Sequence, residues 1–451
     1  MNGIFEIRKH KRINQVQYIA LGFILMILVG TALLMLPIAT RPGEETSLIG
    51  ALLCATSASC VTGLVAYDTF THWTLFGQLV LLVLIQIGGL GFITIGMTFS
   101  VLFRKKIGLR QRDLLKESIN AMELGGIIRL WKQIVKGTLL IEGIGAALLA
   151  IRFIPQFGTA NGIYYGIFHS ISAFCNGGFD LMGINEKYSS FCAYVDDPLV
   201  VITLCFLIVI GSLGFIVWQD LMEKKWNWKR YTLHTRLVLS VSVILLAVGT
   251  LLFYLMERNN TLSQMSLSGQ WLGALFDAVT PRTAGFNTTD TGALTPAAKL
   301  LTILLMFVGG SPGSTAGGVK TTTIAVIVLY VFSNLRNDSG CNVFHRRISD
   351  EVIKKATMVV ALNMAMGLIS TLVILATSDL AMDDVLFETF SAISTVGMTT
   401  GITRDLNMVG QITITILMYL GRVGSMTFAL SLIQRPSEQP TQYPVERITI
   451  G

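Results

Sequence analysis

Four short loops built around a common glycine recur at a near-constant interval along the chain, and this periodicity limits the possible folds more than any other feature. They read TSASCVTGL (56–64), SAFCNGGF (172–179), VTPRTAGF (279–286) and SAISTVGM (391–398). Aligned on the glycine before the final apolar residue, they place Gly63, Gly178, Gly285 and Gly397 at intervals of 115, 107 and 112 residues. A second echo follows each loop: IGGLGF (87–92), IGSLGF (210–215), VGGSPG (308–313) and LGRVGS (420–425). Its first glycine trails the loop glycine by 25, 33, 24 and 24 residues. Two landmarks in register over the whole chain define a fourfold internal repeat.

The repeat unit is a membrane unit. The 451 residues are 52% hydrophobic and 14% charged, against roughly 25% charged in soluble domains. Apolar runs long enough to span a bilayer fall near 16–36, 74–103, 133–154, 198–222, 233–256, 298–333, 354–377 and 408–433. Between the members of each pair lies an apolar segment too short to span, near 47–60, 162–175, 269–281 and 383–394. The pattern predicts an all-α polytopic protein of eight spans and four re-entrant half-helices, with repeats at 1–110, 111–228, 229–340 and 341–451.

The net charge of +7 is not a nucleic-acid signal, because the cations sit in short loops: residues 8–12, 104–106, 224–230 and 346–355. This bias assigns those loops, and with them both termini, to the cytoplasm. The first apolar run lacks a small-residue cleavage site and is expected to be a span rather than a signal peptide. Six scattered cysteines (54, 60, 175, 192, 205 and 341) show no C-x-x-C pair and suggest neither a disulfide framework nor a metal site.

Non-helical backbone at membrane depth is tolerated only where it is buried in protein or faces a water-filled cavity. Four such loops can converge on one axis, where rings of carbonyl oxygens replace the hydration shell of a cation. Glycine admits backbone conformations closed to other residues. The C-terminal ends of the half-helices add partial negative charge, which favours a cation.

The stretch GGSPGSTAGGVKTTT (309–323) interrupts the second span of repeat three. Its Ser311 fits the G-x-S-x-G pattern of a hydrolase elbow, but that motif needs a preceding strand and a nearby histidine and acid. The five histidines (10, 72, 169, 234 and 345) fall mostly in loops. A phosphate loop needs its lysine directly after the glycine, whereas Val319 separates Gly318 from Lys320. A flexible intramembrane loop remains. Gly309, Gly310, Pro312, Gly313, Gly317 and Gly318 break the helix, while Ser311, Ser314 and Thr315, followed by Ala316, can satisfy freed backbone groups. Arg422, aligned with Gly89, Ser212 and Gly310, is an intramembrane cation expected to face a cavity or a carboxylate, with Glu388, Asp277 and Glu142 as candidate partners. His169, Asp277 and Glu388 occupy similar places on three half-helices and are expected to brace the loops rather than bind ions.

The four loops, VTPRTAGFNT, GGSPGSTAGGVKTTT and GRVGSMTF (421–428) together resemble the Trk/Ktr/HKT superfamily of potassium transporters, most of all the bacterial Ktr-type membrane subunit. The resemblance covers nearly the entire chain. It implies M1–P–M2 repeats in pseudo-fourfold symmetry around one pore in a bacterial cytoplasmic membrane. Carried over residue by residue, the selectivity filter would comprise Val61-Thr62-Gly63, Asn176-Gly177-Gly178, Thr283-Ala284-Gly285 and Thr395-Val396-Gly397. Gly63 in the first quarter favours potassium, where sodium-preferring plant relatives carry serine. Gly177 departs from the common alanine. The resemblance further implies that loop 309–318 obstructs the pore as a gate, that Arg422 is a barrier below the filter, and that Lys320 lies near the cytoplasmic mouth. It implies K+ as transported ion with Na+ as modulator, no other cofactor, and a homodimer in the lipid bilayer docked on a cytosolic RCK-type nucleotide-binding ring. The basic loops around 104–116, 223–236 and 336–355 would face that ring, and the tail 434–451 would reach the dimer interface. A sodium or unselective cation uniporter, a non-transporting scaffold for that ring and, remotely, an intramembrane hydrolase using Ser311 are the rival readings.

Overall fold

The computed structural model describes residues 15–102, 108–119, 126–225, 227–338, 340–424 and Glu446. The basic stretches 8–12 and 104–106, the final part of the eighth apolar run and of GRVGSMTF (from 425), and all of the tail 434–451 except Glu446 lie outside the described residues.

The first repeat contains α1 (Gln15–Leu34), the half-helix α2 (Leu48–Cys60), a single turn α3 (Thr69–His72), α4 (Leu75–Leu90) and α5 (Phe92–Leu102). After α6 (Leu109–Ile119) come α7 (Ile127–Phe157), the half-helix α8 (Thr159–Cys175), α9 (Pro198–Leu213) and α10 (Phe215–Lys224). The third repeat has α11 (Leu233–Glu257), the half-helix α12 (Leu267–Val279), α13 (Pro296–Phe307) and α14 (Thr321–Leu335). A small antiparallel hairpin, β1 (Asn342–Val343) and β2 (Arg346–Arg347), leads to α15 (Asp350–Thr377), the half-helix α16 (Met382–Ile393) and α17 (Met408–Val423).

The helices that open the repeats, α1, α7, α11 and α15, are long and apolar enough to cross a bilayer unbroken. Their outward faces carry Leu25, Ile151, Val243 and Leu372, each more than 60% exposed, as a lipid-facing surface requires. The half-helices, at 13, 17, 13 and 12 residues, are too short to cross. The second-span helices start at equivalent side-chain caps: Thr74, Asp197, Thr295 and Asn407 each accept a hydrogen bond from a first-turn amide.

These second spans are not straight. Runs 74–103 and 198–222 each hold two helices, bent by 98° at Gly91 and by 94° at Gly214. Gly91 (φ 81°), Gly214 (φ 94°) and Gly424 (φ 93°), which ends α17, share one left-handed backbone conformation. In the third repeat the break widens into the non-helical segment 308–320. The echo glycines have a packing role. A side-chain carbon on Gly88, Gly211 or Gly421 would collide with the carbonyl of Ser59, Phe174 or Ile393 near the end of a half-helix. Each of these three second spans therefore lies directly against the last turn of its half-helix.

Candidate functional site

The four loops meet. A carbon added to Gly63 would lie 2.9 Å from the Cα of Gly178 and 3.3 Å from that of Gly397. One on Gly285 would lie 3.2 Å from the Cα atoms of both Gly178 and Gly397. The glycines thus form a closed ring in the order 63, 178, 285, 397, each touching the two that flank it. All four have left-handed φ (105°, 68°, 80° and 94°), and a second left-handed residue stands two places earlier in each loop: Val61, Asn176, Thr283 and Thr395. A side chain at a ring glycine would be both strained and sterically blocked.

Each loop is tied down by a hydroxyl in the last turn of its own half-helix. Ser57 accepts from Gly63 N through Oγ at 2.9 Å and from Thr62 N through its carbonyl at 2.8 Å. Ser391 does the same for Gly397 and Val396, at 3.1 and 2.8 Å. Ser172 accepts from Gly177 N and donates to Phe179 O, and Thr280 donates to Phe286 O at 2.6 Å. The triplet amides of the first and fourth loops are all spent, but the carbonyls are not. Among the described residues, no donor is bonded to the carbonyl oxygens of 61–63, 176–178, 283–285 or 395–397. An unsatisfied oxygen at membrane depth costs several kcal/mol, so a ring of them calls for a cation or water.

A second tier braces the chain beyond each loop. His169 bonds Tyr165 O through Nδ1 at 2.7 Å and accepts from Leu181 N through Nε2 at 2.9 Å. Asp277 accepts from Thr289 Oγ1 at 3.0 Å, and Glu388 from Thr399 Oγ1 at 2.7 Å and from Thr403 Oγ1. The fourth member is Cys54, whose sulfur faces the backbone amides of Ala66 and Tyr67. Sequence reasoning missed it because a cysteine reads as a small packing residue. Counting nine residues back from Gly63, as from Gly178 and Gly397, would have found it.

Asp180 lies two residues past Gly178, in the stretch that leads from the ring towards α9. Burial, chiefly, and the Asp68 carboxylate push its acid up to about 7, against the pull of the Met182 amide.

The segment 308–320 crosses beneath the ring. Its neck is closed by a parallel bridge between Val308 and Val319, with Gly309 N to Val319 O at 2.8 Å. Beyond the neck its bonds run to other repeats. Ser311 N donates to Ser212 O at 2.9 Å, Phe215 N to Gly313 O at 2.8 Å, and Thr315 Oγ1 to Phe174 O at 3.2 Å. Gly317 and Gly318 pack against Thr395 and Ser394. Lys320 Nζ folds back onto Ala316 O at 2.7 Å. Ser311 Oγ lies 3.1 Å from Thr321 Oγ1, not beside a histidine, so the hydrolase arrangement is not assembled.

Arg422 has none of the carboxylate partners expected from the sequence. Its guanidinium bonds the Thr315 carbonyl on one side and the Gly88 and Gly89 carbonyls on the other. Glu388 and Asp277 are occupied by threonines, and Glu142 accepts from Gln86 Nε2 at 3.1 Å. The arginine satisfies its donors with backbone oxygens of the first repeat's second span and of the crossing segment, which charge pairing alone could not reveal. It clasps the crossing segment to the first repeat.

Residues 11–443 match the family described as TrkH, cation transport protein. The chain is 40% identical to the potassium/sodium uptake protein NtpJ of Enterococcus hirae, covering 99% of this chain and 100% of that protein. It is 38% identical to the Ktr system potassium uptake protein B of Bacillus subtilis, over 99% of each. The crystal structure of the potassium transporter TrkH from Vibrio parahaemolyticus superposes with a TM-score of 0.74 at 18% identity, covering 94% of this chain and 86% of that one. The matched segment takes in all four loops, the crossing segment and Arg422, and the chain belongs to the TrkH family of cation transport proteins, a transporter family rather than a family of enzymes.

Proposed function

We propose that this chain is the ion-conducting subunit of a potassium uptake system. The observation that carries the reading is the closed ring of Gly63, Gly178, Gly285 and Gly397 with its twelve unclaimed carbonyl oxygens. K+ sheds water at Val61-Thr62-Gly63, Asn176-Gly177-Gly178, Thr283-Ala284-Gly285 and Thr395-Val396-Gly397, driven by about 2.3 kcal/mol per charge per 100 mV of membrane potential. Segment 309–318 is the gate, and Arg422, bonded to Thr315 O, holds it closed. Under this reading the four quarters divide after 110, 228 and 340.

The names of the relatives support potassium as cargo, and the word "system" in one of them supports a multi-component assembly. The homodimer docked through its basic loops on a cytosolic nucleotide-binding ring, in the bacterial cytoplasmic membrane with both termini inside, belongs to the same proposal. The name of the Enterococcus relative favours a second reading in which sodium is also carried or acts as modulator. Rubidium uptake into proteoliposomes holding the purified chain, with and without a ring subunit and with sodium as competitor, decides the matter. Rapid uptake that sodium fails to block establishes the potassium pore. Equal uptake of both ions removes the selectivity, and no uptake in either condition removes the pore.

A further inference from the structure

Two residues before each ring glycine stands a side chain that the carbonyl ring does not use. These are Val61, Asn176, Thr283 and Thr395, none of them more than 1% exposed. They share one left-handed conformation, with φ of 58°, 62°, 74° and 51°. The same backbone conformation at equivalent places in four quarters sends the side chains off the loops in equivalent directions. Two contacts fix that direction. A carbon on Gly317 of the crossing segment would lie 2.1 Å from Thr395 Oγ1, and one on Gly88 would lie 2.9 Å from Val61 Cγ2. Gly88 is also the residue whose carbonyl Arg422 bonds. The four side chains therefore form a layer between the glycine ring and the level of the crossing segment and Arg422.

This layer is polar on three sides. Asn176 Nδ2 donates to Thr283 Oγ1 at 3.1 Å, across the boundary between the second and third quarters. The other head atom, Asn176 Oδ1, is buried without a hydrogen-bond partner, and so is Thr395 Oγ1. In the ring order 63, 178, 285, 397 the second and fourth quarters stand opposite each other. The two unpartnered oxygens thus belong to facing walls, with Thr283 on the wall between them. Val61 supplies only hydrocarbon on the remaining side.

A buried oxygen without a donor is costly unless a cation takes the donor's place. The oxygens of this layer are an amide and two hydroxyls, all neutral, and no carboxylate belongs to it. Neutral oxygens suit a large monovalent cation, held loosely enough to leave again. Calcium and magnesium are held through carboxylates. We propose that Asn176 Oδ1, Thr283 Oγ1 and Thr395 Oγ1 form a second cation site, made of side-chain oxygens, directly beneath the glycine ring. Its ligand is a monovalent cation such as K+ or Rb+, and it is lopsided because Val61 gives it no fourth oxygen. The site rests on the reading of the ring as a potassium path: an ion leaving the ring meets these oxygens before it regains water. Gly317 stands against Thr395, so the crossing segment forms the floor of the site.

The test is anomalous X-ray diffraction from crystals of the full chain grown in rubidium chloride. The expected result is two rubidium peaks, one at the ring and one below it between Asn176 and Thr395. Thr395→Val keeps the shape of the side chain and removes its oxygen, and should lower the inner peak at least threefold relative to the ring peak. Asn176→Leu should do the same. Val61→Thr adds the missing oxygen and should raise the inner peak at least twofold. In each variant the ring peak reports that the loops are still folded. Inner density without an anomalous signal is water and overturns the site. So does an inner peak that survives both Thr395→Val and Asn176→Leu. Absence of the inner peak alone overturns only this site, whereas absence of both peaks overturns the reading of the ring as well.

Discussion

Two kinds of non-helical backbone lie at membrane depth in this protein, and they are held in opposite ways. The ring loops are secured mainly within their own repeats, with one bond across, from Asn176 Nδ2 to Thr283 Oγ1 at 3.1 Å. Ser57, Ser172, Thr280 and Ser391 each bond the loop that follows them, and Cys54, His169, Asp277 and Glu388 brace the chain beyond. The crossing segment 309–318 is held mostly by others: Ser212 and Phe215 of the second repeat, Phe174 of its half-helix, and Arg422 of the fourth. Local ties make a loop rigid whatever its neighbours do. Ties to other repeats can be released together when those repeats shift, as a two-state element requires. The ring loops are tied mainly within their own repeats, and the crossing segment mainly across repeats.

Substitutions in the two regions should therefore fail differently. The largest effect is expected from Gly397→Ala. Its new carbon would lie 2.8 Å from the Cα of Gly63 at a φ of 94°. Strain of about 3 kcal/mol corresponds to roughly a hundredfold loss of rubidium uptake. Undiminished uptake would show that the ring is not the conduction path. Next is Arg422→Gln, which removes charge-assisted bonds to Thr315 and Gly88. At about 1.5–3 kcal/mol for such a bond, resting flux should rise about tenfold or more with the rubidium-to-sodium ratio unchanged. Ser391→Ala sharpens the contrast from the other side. It orphans the Gly397 amide at about 1–3 kcal/mol and should lower the ion ratio several-fold without raising flux. Thr315→Val breaks one neutral bond to Phe174 O, worth about 1 kcal/mol, and should raise flux no more than about fivefold. An Arg422 or Thr315 substitution that altered selectivity, or a Ser391 substitution that raised flux, would erase the distinction.

The smallest expected effect is electrostatic. Raising the external pH through about 7 ionises Asp180 and adds a negative charge beside the second loop. Local cation concentration rises with it, and uptake should increase about twofold. Asp180→Asn should flatten that step in the pH profile.

The repeat was legible because glycine and its neighbours keep their spacing in the chain. The left-handed positions at Gly63, Gly178, Gly285 and Gly397 admit little else, so the requirement is written as a residue type. The bends at Gly91 and Gly214 were not legible, since apolar runs report burial and lipid contact but not direction. The partners of Arg422 were hidden for a related reason. Every residue carries a carbonyl, so no letter marks the ones that an arginine will bond. His169, Asp277 and Glu388 stood out as polar residues in an oily segment, while Cys54 blended into it.

The ring is closed by four segments of one polypeptide rather than by four copies of one segment. A codon change in a homotetrameric pore is stamped on every quarter at once, so its consequences come all together. Here each quarter has its own codons: the third position of the triplets is glycine throughout, while the second holds threonine, glycine, alanine and valine. A substitution in one quarter of the ring therefore leaves the other three quarters as they were.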